Sequence, residues 1–253
     1  MLAIIGGSGL YALQGFGEPR TEEITTAYGT ALVSVEHYHT SNGSVYFLPR
    51  HGKTHGILPH LINYRANIAA LAHLGVREII AVNVVGGIDT RTAPGAIILP
   101  NQIIDYTWGR DSTFVDENSE QILHVDFTNP FSETLGQRLL SAVNKAAETA
   151  QDKRPILRHG TYGCTQGPRL ESAAEIRRIK RDGCDIVGMT GMPEAVLARE
   201  KGLDYAMLAL SVNWAAGIVP GEVDMDQIRA VIDEGISFIM LVLTALAELT
   251  EPQ

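Results

Sequence analysis

The chain has 253 residues, of which 45% are hydrophobic and 19% are charged, and its formal net charge is −9. This length and hydrophobic content predict one domain over residues 1–253 with a substantial core. The acidic balance argues against nucleic acid as a partner, because proteins that bind nucleic acid present basic surfaces. The two cysteines, Cys164 and Cys184, form no CxxC pair, so we expect free thiols in a cytoplasmic protein.

The sequence predicts no membrane partner. The start of the chain lacks the charged and then apolar pattern of a signal peptide. The longest apolar run, residues 236–246, is shorter than the roughly 20 residues that span a bilayer.

The predicted elements alternate between strands and helices. Apolar runs predict strands at residues 2–5, 31–36, 44–48, 78–85, 95–99, 102–104, 156–164, 185–187 and 204–212. Helical spacing and end signals predict helices at residues 63–73, 132–150, 173–181, 193–201 and 224–248. A turn is expected at residues 41–43 and a long irregular loop at residues 106–129. This alternation predicts a single α/β domain with a mixed, mostly parallel central β-sheet flanked by helices.

Three short segments rich in glycine and hydrogen-bond donors follow predicted strands, at residues 6–9, 50–52 and 188–190. In an open α/β sheet, ligands bind beyond the carboxyl ends of the strands. Glycines there let backbone N–H groups approach an anion, and Arg is suited to bidentate contact with phosphate. The sequence therefore predicts a small phosphate site.

Two other interpretations of these segments stay open. Residues 7–12 match the dinucleotide pattern GxGxxA, and Glu22 or Glu23 could bind a ribose, but residues 14–19 leave no room for the helix that the pattern needs. His51 and His55 have the spacing of a helical metal pair, although the glycine between them disfavours a helix. We expect neither a metal nor a nicotinamide cofactor.

Three further polar side chains are candidates for a ligand site. Asn83 lies inside an apolar strand, Glu171 opens a helix, and Asn213 ends a strand. Each also has an ordinary structural explanation, as a satisfied buried amide, a first-turn acid or a turn residue.

Several motifs, taken together, resemble the trimeric purine nucleoside phosphorylase and methylthioadenosine phosphorylase family over essentially the full chain. They are IIGGSGL at 4–10, RHG at 50–52, NYRAN at 63–67, GTY at 160–162, GPR at 167–169, and GMT at 188–190 followed by PE at 193–194. The resemblance implies a pentosyltransferase of purine salvage, which splits the glycosidic bond of a nucleoside with inorganic phosphate as co-substrate. It implies no metal and no organic cofactor.

The resemblance also implies roles for individual residues. The implied phosphate ligands are Ser8, Arg50, His51, Asn83, Val84 and Thr190. The implied contacts to the nucleoside come from Leu170, Met189, Val212, Asn213 and Glu171, with Leu170 against the base and Met189 against the ribose.

The base-binding positions differ from those of the adenine-specific members. Those members carry acidic residues at the positions of Asn213 and Ala215, and Ser at the position of Glu171. A carboxylate accepts the N1–H of a 6-oxopurine, whereas adenine offers only a lone pair there. We therefore expect Glu171 and Asn213 to bind a 6-oxopurine and to stabilise it as it leaves.

The sugar-binding positions predict an apolar 5′ pocket. Pro220 stands where hydroxyl-specific members carry a histidine, and Val223 and Met225 follow it. An apolar pocket suits a methylthio group. The expected substrate is S-methyl-5′-thioinosine, and the alternatives are methylthioadenosine phosphorylase, a general 6-oxopurine nucleoside phosphorylase, or a non-catalytic nucleoside-binding protein.

Membership of this family would also imply a homotrimer. Residues 107–131 would then reach the 5′ pocket of a neighbouring subunit, and His124 is the candidate for that contact.

Overall fold

The protein, seen in a computed structural model that describes residues 1–40, 43–54, 56–115 and 122–249, alternates strands and helices along its chain. The strands are β1 Leu2–Gly6, β2 Arg20–Ile24, β3 Val33–Thr40, β4 Gly43–Pro49, β5 Glu78–Gly87, β6 Ile97–Ile98, β7 Gln102–Asp105, β8 Ile156–Leu157, β9 Thr161–Cys164, β10 Ile186–Gly188 and β11 Asp204–Trp214. The helices are α1 Tyr64–His73, α2 Glu133–Ala150, α3 Ala173–Arg181, α4 Gly191–Glu200 and α5 Met225–Glu248.

All of these strands join one sheet. Its main path runs β2-β3-β4-β1-β5-β10-β9-β7, while β11 pairs with both β5 and β6, and β6 pairs with β8. The pairs among β1, β4, β5 and β11 in the centre are parallel, whereas β2, β3 and β4 form an antiparallel edge. The predicted mixed, mostly parallel α/β sheet flanked by helices is confirmed.

The two faces of the sheet bury separate cores, because successive side chains of a strand point to opposite faces. In β5, Ile79 and Ala81 belong to one core, which α1 and α4 complete. Ile80 and Val82 belong to the other, which α2 and α5 complete. Strand β5 is therefore mostly apolar, as expected for a strand that is buried on both faces.

Helix α5 is long and apolar because it covers one of these cores. Its length and its mean hydropathy of 1.9 over 18 residues would also suit a membrane span, but 44% of that stretch is buried inside the protein. Phe238, Val242 and Leu243 are buried on the face that packs against α2 and β11. A core helix accounts for the composition.

The observed strands differ from the prediction in three places. Strand β2 was not predicted, since its sequence RTEEI is polar and lies at an exposed edge of the sheet. The single strand expected at residues 156–164 is two, because the chain leaves β6 after Leu157 and joins β7 and β10 from Thr161. Strand β11 continues past the expected end through a bulge between Ser211 and Asn213. The expected turn at 41–42 lies outside the described residues.

Candidate active site

The central strand β5 changes its neighbour halfway along, and the cleft opens at that point. Strand β1 pairs with residues 78–81 of β5, and β10 pairs with residues 86–87. Between these two segments, β5 has no ladder partner on that side within the described parts of the chain. The ends of β1, β4, β10 and β11 surround this gap, and the cleft has a volume of about 780 Å³.

The cleft brings together most of the residues that the sequence singled out. Those that line it are Ser8, Arg50, His51, Asn83, Val84, Leu170, Glu171, Met189, Thr190, Val212, Asn213, Val223 and Met225. Pro220 and His124 do not line it, and both are exposed in this chain. Their suggested contacts with the 5′ group stay predictions.

The guanidinium of Arg50 is completely buried beside the carboxylate of Glu194. Arg50 Nε and Nη2 donate to the two Glu194 oxygens at 2.6 and 2.8 Å, and Nη1 donates to the Val82 carbonyl oxygen at 3.2 Å. Tyr205 donates a further hydrogen bond of 2.8 Å to Glu194. Burial alone would lower the pKa of Arg50, but the adjacent Glu194 carboxylate raises it, so the guanidinium stays charged. A bound phosphate can therefore use only the terminal N–H groups of Arg50, because Glu194 occupies the Nε edge.

Asn83 connects Arg50 to Thr190 across the gap in the sheet. Its side-chain oxygen lies 3.4 Å from Arg50 Nη2, and its Nδ2 donates to Thr190 Oγ1 at 2.7 Å. The Thr190 N–H donates to the hydroxyl of Tyr162 at 3.3 Å, which fixes the turn between β10 and α4. This buried amide thus has partners, and it holds two candidate phosphate ligands in place.

The ring of His51 is oriented by a backbone carbonyl. Nδ1 lies 2.7 Å from the Ile57 carbonyl oxygen. Because a carbonyl oxygen can only accept, Nδ1 carries a proton. The bond fixes the tautomer and the direction of the ring at the cleft wall.

The glycines after β1 are required by close packing. A Cβ on Gly7 would lie 2.6 Å from the Val82 carbonyl oxygen and 3.1 Å from Arg50 Nη1. Gly9 has a φ of +86°, and a Cβ there would lie 2.4 Å from the side chain of Ile232 on α5. The loop that carries Ser8 therefore fits tightly between β5 and α5.

Glu171 lies on the loop between β9 and α3, and Asn213 lies near the end of β11; both side chains line the cleft. The Thr165 hydroxyl donates to Glu171 Oε1 at 2.6 Å, and Asn213 Nδ2 donates to the Trp214 carbonyl oxygen at 2.7 Å. Ser172, the next residue after Glu171, caps α3 through a reciprocal pair of bonds with Glu175. The cap fixes where the helix begins, and so where Glu171 leaves the loop.

One apolar part of the wall comes from α5. Met225, Ile228 and Ile232 line the cleft together with Val223. Their spacing of three and four residues is the helical periodicity that the sequence shows, so Ile228 and Ile232 could have been found from it. Sequence reasoning also missed Ile57, Leu58 and Pro59, which follow His51 and carry no chemical signal of their own.

Arg110 does not line the cleft, but it holds the cleft loops together, and the sequence does not predict this role. Its guanidinium donates to the carbonyl oxygens of Met189 and Met192 at 2.9 and 2.6 Å, and to those of Thr165 and Gln166 at 3.3 and 2.8 Å. One arginine in the long loop thus joins the segments after β9 and β10. A lone arginine in a polar loop gives no sequence signal for such a role.

Within the described residues, no group of three or more His, Cys, Asp and Glu is close enough to hold a metal ion. His55, the second member of the possible histidine pair, lies outside those residues. Cys164 and Cys184 are buried free thiols. Burial raises the pKa of the Cys164 thiol to about 12, so this thiol is not an activated nucleophile.

Relatives with similar sequences are phosphorylases of purine nucleosides. The chain is 49% identical over 228 residues to a probable S-methyl-5′-thioinosine phosphorylase of Xylella fastidiosa, with 90% of each chain covered. It is 44% identical over 222 residues to a 6-oxopurine nucleoside phosphorylase of Pyrococcus furiosus, covering 86% of this chain and 80% of that protein.

Solved structures agree with this likeness. The methylthioadenosine phosphorylase of Schistosoma mansoni in complex with adenine superimposes with a TM-score of 0.90 at 30% identity, over 98% of this chain and 91% of that one. Residues 1–248 match the family described as the phosphorylase superfamily. The chain is thus an enzyme of the nucleoside phosphorylase type, and it belongs to the phosphorylase superfamily.

Proposed function

We propose that this protein cleaves S-methyl-5′-thioinosine with inorganic phosphate, giving hypoxanthine and 5-methylthioribose 1-phosphate. One observation carries the proposal. Glu171 and Asn213 line the same cleft as the donors Arg50, His51 and Thr190 and the apolar face of α5. In such a cleft, a 6-oxopurine would contact Glu171 and Asn213, and an apolar 5′ group would contact the apolar residues of α5.

The phosphate would be held where β5 loses its neighbour. Arg50 supplies the buried positive charge, and Ser8, His51 and Thr190 line the same wall with Asn83 and Val84. Glu194 neutralises part of the Arg50 charge, so neutral donors share the binding of the anion. Phosphate bound there would attack the sugar from the face opposite to the purine.

The leaving base would be stabilised by Glu171 and Asn213. As the glycosidic bond lengthens, the sugar becomes oxocarbenium-like and negative charge builds on the purine. The N1–H of hypoxanthine donates to a carboxylate, and the Asn213 amide can donate to N7 after it turns from the Trp214 carbonyl. Such interactions accelerate cleavage to the extent that they strengthen in the transition state.

The 5′ methylthio group would pack against Val223, Met225, Ile228 and Ile232. A 5′ hydroxyl buried there without a partner would be unfavourable. This favours methylthioinosine over inosine, the substrate type of a general 6-oxopurine nucleoside phosphorylase. The names of several relatives, which are 41–49% identical, support the same choice.

The remaining parts of the proposal follow from the resemblance to the family. The enzyme would need phosphate but no cofactor, would act in the cytoplasm on small molecules, and would form a homotrimer without nucleic-acid or membrane partners. Pro220 and His124 are exposed in one chain. His124 would reach the 5′ group of a neighbouring subunit, whereas Pro220 would lie beside the 5′ pocket of its own chain.

The test is phosphorolysis measured in parallel on methylthioinosine, methylthioadenosine and inosine, with and without phosphate. We expect base release to require phosphate and kcat/KM for methylthioinosine to exceed that for methylthioadenosine by about a hundredfold, because a site built for a substrate N–H rejects the analogue that lacks it. Inosine should react about tenfold less well than methylthioinosine. Equal values for methylthioadenosine and methylthioinosine would overturn the assignment.

A further inference from the structure

The hydroxyl of Thr165 lies behind Glu171, outside the residues that line the cleft. It is 2.6 Å from Glu171 Oε1 and 3.3 Å from the Gly188 carbonyl oxygen. A hydroxyl has a single proton to donate. The shorter, charge-assisted bond to the carboxylate is the stronger of the two, so the proton goes to Glu171.

Thr165 is itself held firmly by its backbone. Its N–H donates to the Gly188 carbonyl oxygen at 2.8 Å, and its carbonyl oxygen accepts from Arg110 Nη2 at 3.3 Å. The position of the threonine is therefore set by the end of β10 and by the long loop together. A β-branched side chain on a fixed backbone has few rotamers, so its hydroxyl is a well-placed donor.

Glu171, by contrast, is partly exposed on the loop before α3. Within the described residues, the bond from Thr165 is the hydrogen bond that its carboxylate receives. A glutamate side chain that must be ordered for binding loses appreciable rotamer entropy. The Thr165 bond fixes one carboxylate oxygen in advance and leaves the other, Oε2, for a ligand.

We propose that Thr165 is a positioning residue that directs Glu171 Oε2 toward the N1–H of a 6-oxopurine. The proposal deepens the proposed function and rests on it, because it needs Glu171 at the base. A 6-amino purine offers no proton at N1 and gains nothing from a fixed carboxylate. Removing the Thr165 hydroxyl should therefore harm the 6-oxopurine substrate selectively.

The test compares Thr165→Val with Thr165→Ser on methylthioinosine and methylthioadenosine. In Thr165→Val we expect kcat/KM for methylthioinosine to fall about tenfold, because a hydrogen bond to a charged group is lost. We expect kcat/KM for methylthioadenosine to change less than about threefold. Thr165→Ser keeps the hydroxyl. Its ratio of kcat/KM for methylthioinosine to kcat/KM for methylthioadenosine should stay within about threefold of the ratio for the unmodified enzyme. The KM for phosphate should not change, since the phosphate ligands lie on other loops.

Two controls separate this role from a general loss of structure. Thr92→Val removes another buried hydroxyl, which bonds to the Asp89 and Asp185 carbonyl oxygens, and should leave the preference unchanged. In a Glu171→Ala background, Thr165→Val should alter the preference no further. Thr165→Ala serves as a second variant, should Thr165→Val not fold.

The possible failures are distinguishable. An unmodified enzyme with no preference for methylthioinosine would overturn the proposed function, and the role of Thr165 with it. A preference that is present in the unmodified enzyme and survives in both Thr165→Val and Thr165→Ala would overturn the role of Thr165 alone.

Discussion

At the scale of single residues, the buried pair of Arg50 and Glu194 determines how the candidate phosphate site is built. Both side chains have no exposed surface, and the charges meet through two short hydrogen bonds. A buried ion pair is a weak source of net stability, but its two members depend on each other strongly. The pair therefore serves the site by fixing a buried guanidinium at the wall of the cleft.

Replacing Arg50 should consequently destabilise the whole fold. Arg50→Met leaves the Glu194 carboxylate buried without its partner, and we expect a loss of about 3–5 kcal/mol in the free energy of unfolding. The double variant Arg50→Met with Glu194→Gln should recover much of that loss. Urea unfolding of both single variants and of the double variant measures these effects. If the losses for Arg50→Met and Glu194→Gln simply add in the double variant, this account is contradicted.

At the scale of elements, the start of α3 links helix capping to the base end of the cleft. The Ser172 side chain accepts from the Glu175 N–H at 3.2 Å, and Glu175 accepts from the Ser172 N–H at 2.7 Å. Arg169 holds Glu175 from the other side through two hydrogen bonds. The cap thus orders the segment on both sides of Glu171.

We expect Ser172→Ala to lower the free energy of unfolding by about 1 kcal/mol, as for the loss of a helix N-cap. It should also weaken the binding of methylthioinosine, because Glu171 is the residue before the cap. Ser132, the N-cap of α2, provides the matched control. Ser132→Ala should lower stability to a similar extent and leave substrate binding unchanged, and equal effects of both variants on binding would refute the link.

The same cap predicts a dependence on pH. The hydrogen bonds from Arg169 and then from the Ser172 backbone lower the pKa of Glu175 from 4.5 to about 2. A group whose pKa is lowered by folding stabilises the fold fully above its unfolded value, and this contribution is lost as the pH falls through the folded value. The stability difference between the unmodified protein and Glu175→Gln should be constant above about pH 5 and shrink between pH 4.5 and 2. A stability difference that is the same at pH 3 as at pH 6 would contradict a lowered pKa of Glu175.

The sequence predicts elements better than it predicts contacts between them. Strand β5 and helix α2 were predictable, since apolar runs and end signals are local. The pairing of Arg50 with Glu194 was not, because 144 residues separate the two side chains. Thr165 carries no motif, so nothing in the sequence marks its bond to Glu171, although the two are only 6 residues apart on the same loop.

At the scale of the whole molecule, exposed apolar side chains cluster on the long loop between β7 and α2. Trp108 is 73% exposed and Ile122 is 78% exposed. Large exposed apolar side chains on one loop are consistent with a surface that contacts another chain. This agrees with the proposed trimer, in which the loop would meet a neighbouring subunit.

Light scattering in solution should give a mass about three times the 27.4 kDa of one chain. Trp108→Glu should lower that mass if the loop lies in the contact, because a buried charge without a partner is costly. Asn144→Glu, which adds a negative charge at an exposed residue of α2, is the control for surface charge. A mass of one chain for the unmodified protein would overturn the trimer.

The three partners of β5 have a consequence for how the chain folds. Strand β5 pairs with β1 near the beginning of the sequence and with β11 near its end, where Glu78 meets Asp204. Contacts between such distant segments slow folding, because the intervening chain must be closed into a loop before they form. A ribosome that has released only the first 200 residues holds a chain whose central strand still exposes one edge. The sheet and the cleft are therefore complete only after β11 has paired with β5 and α5 has packed against β11.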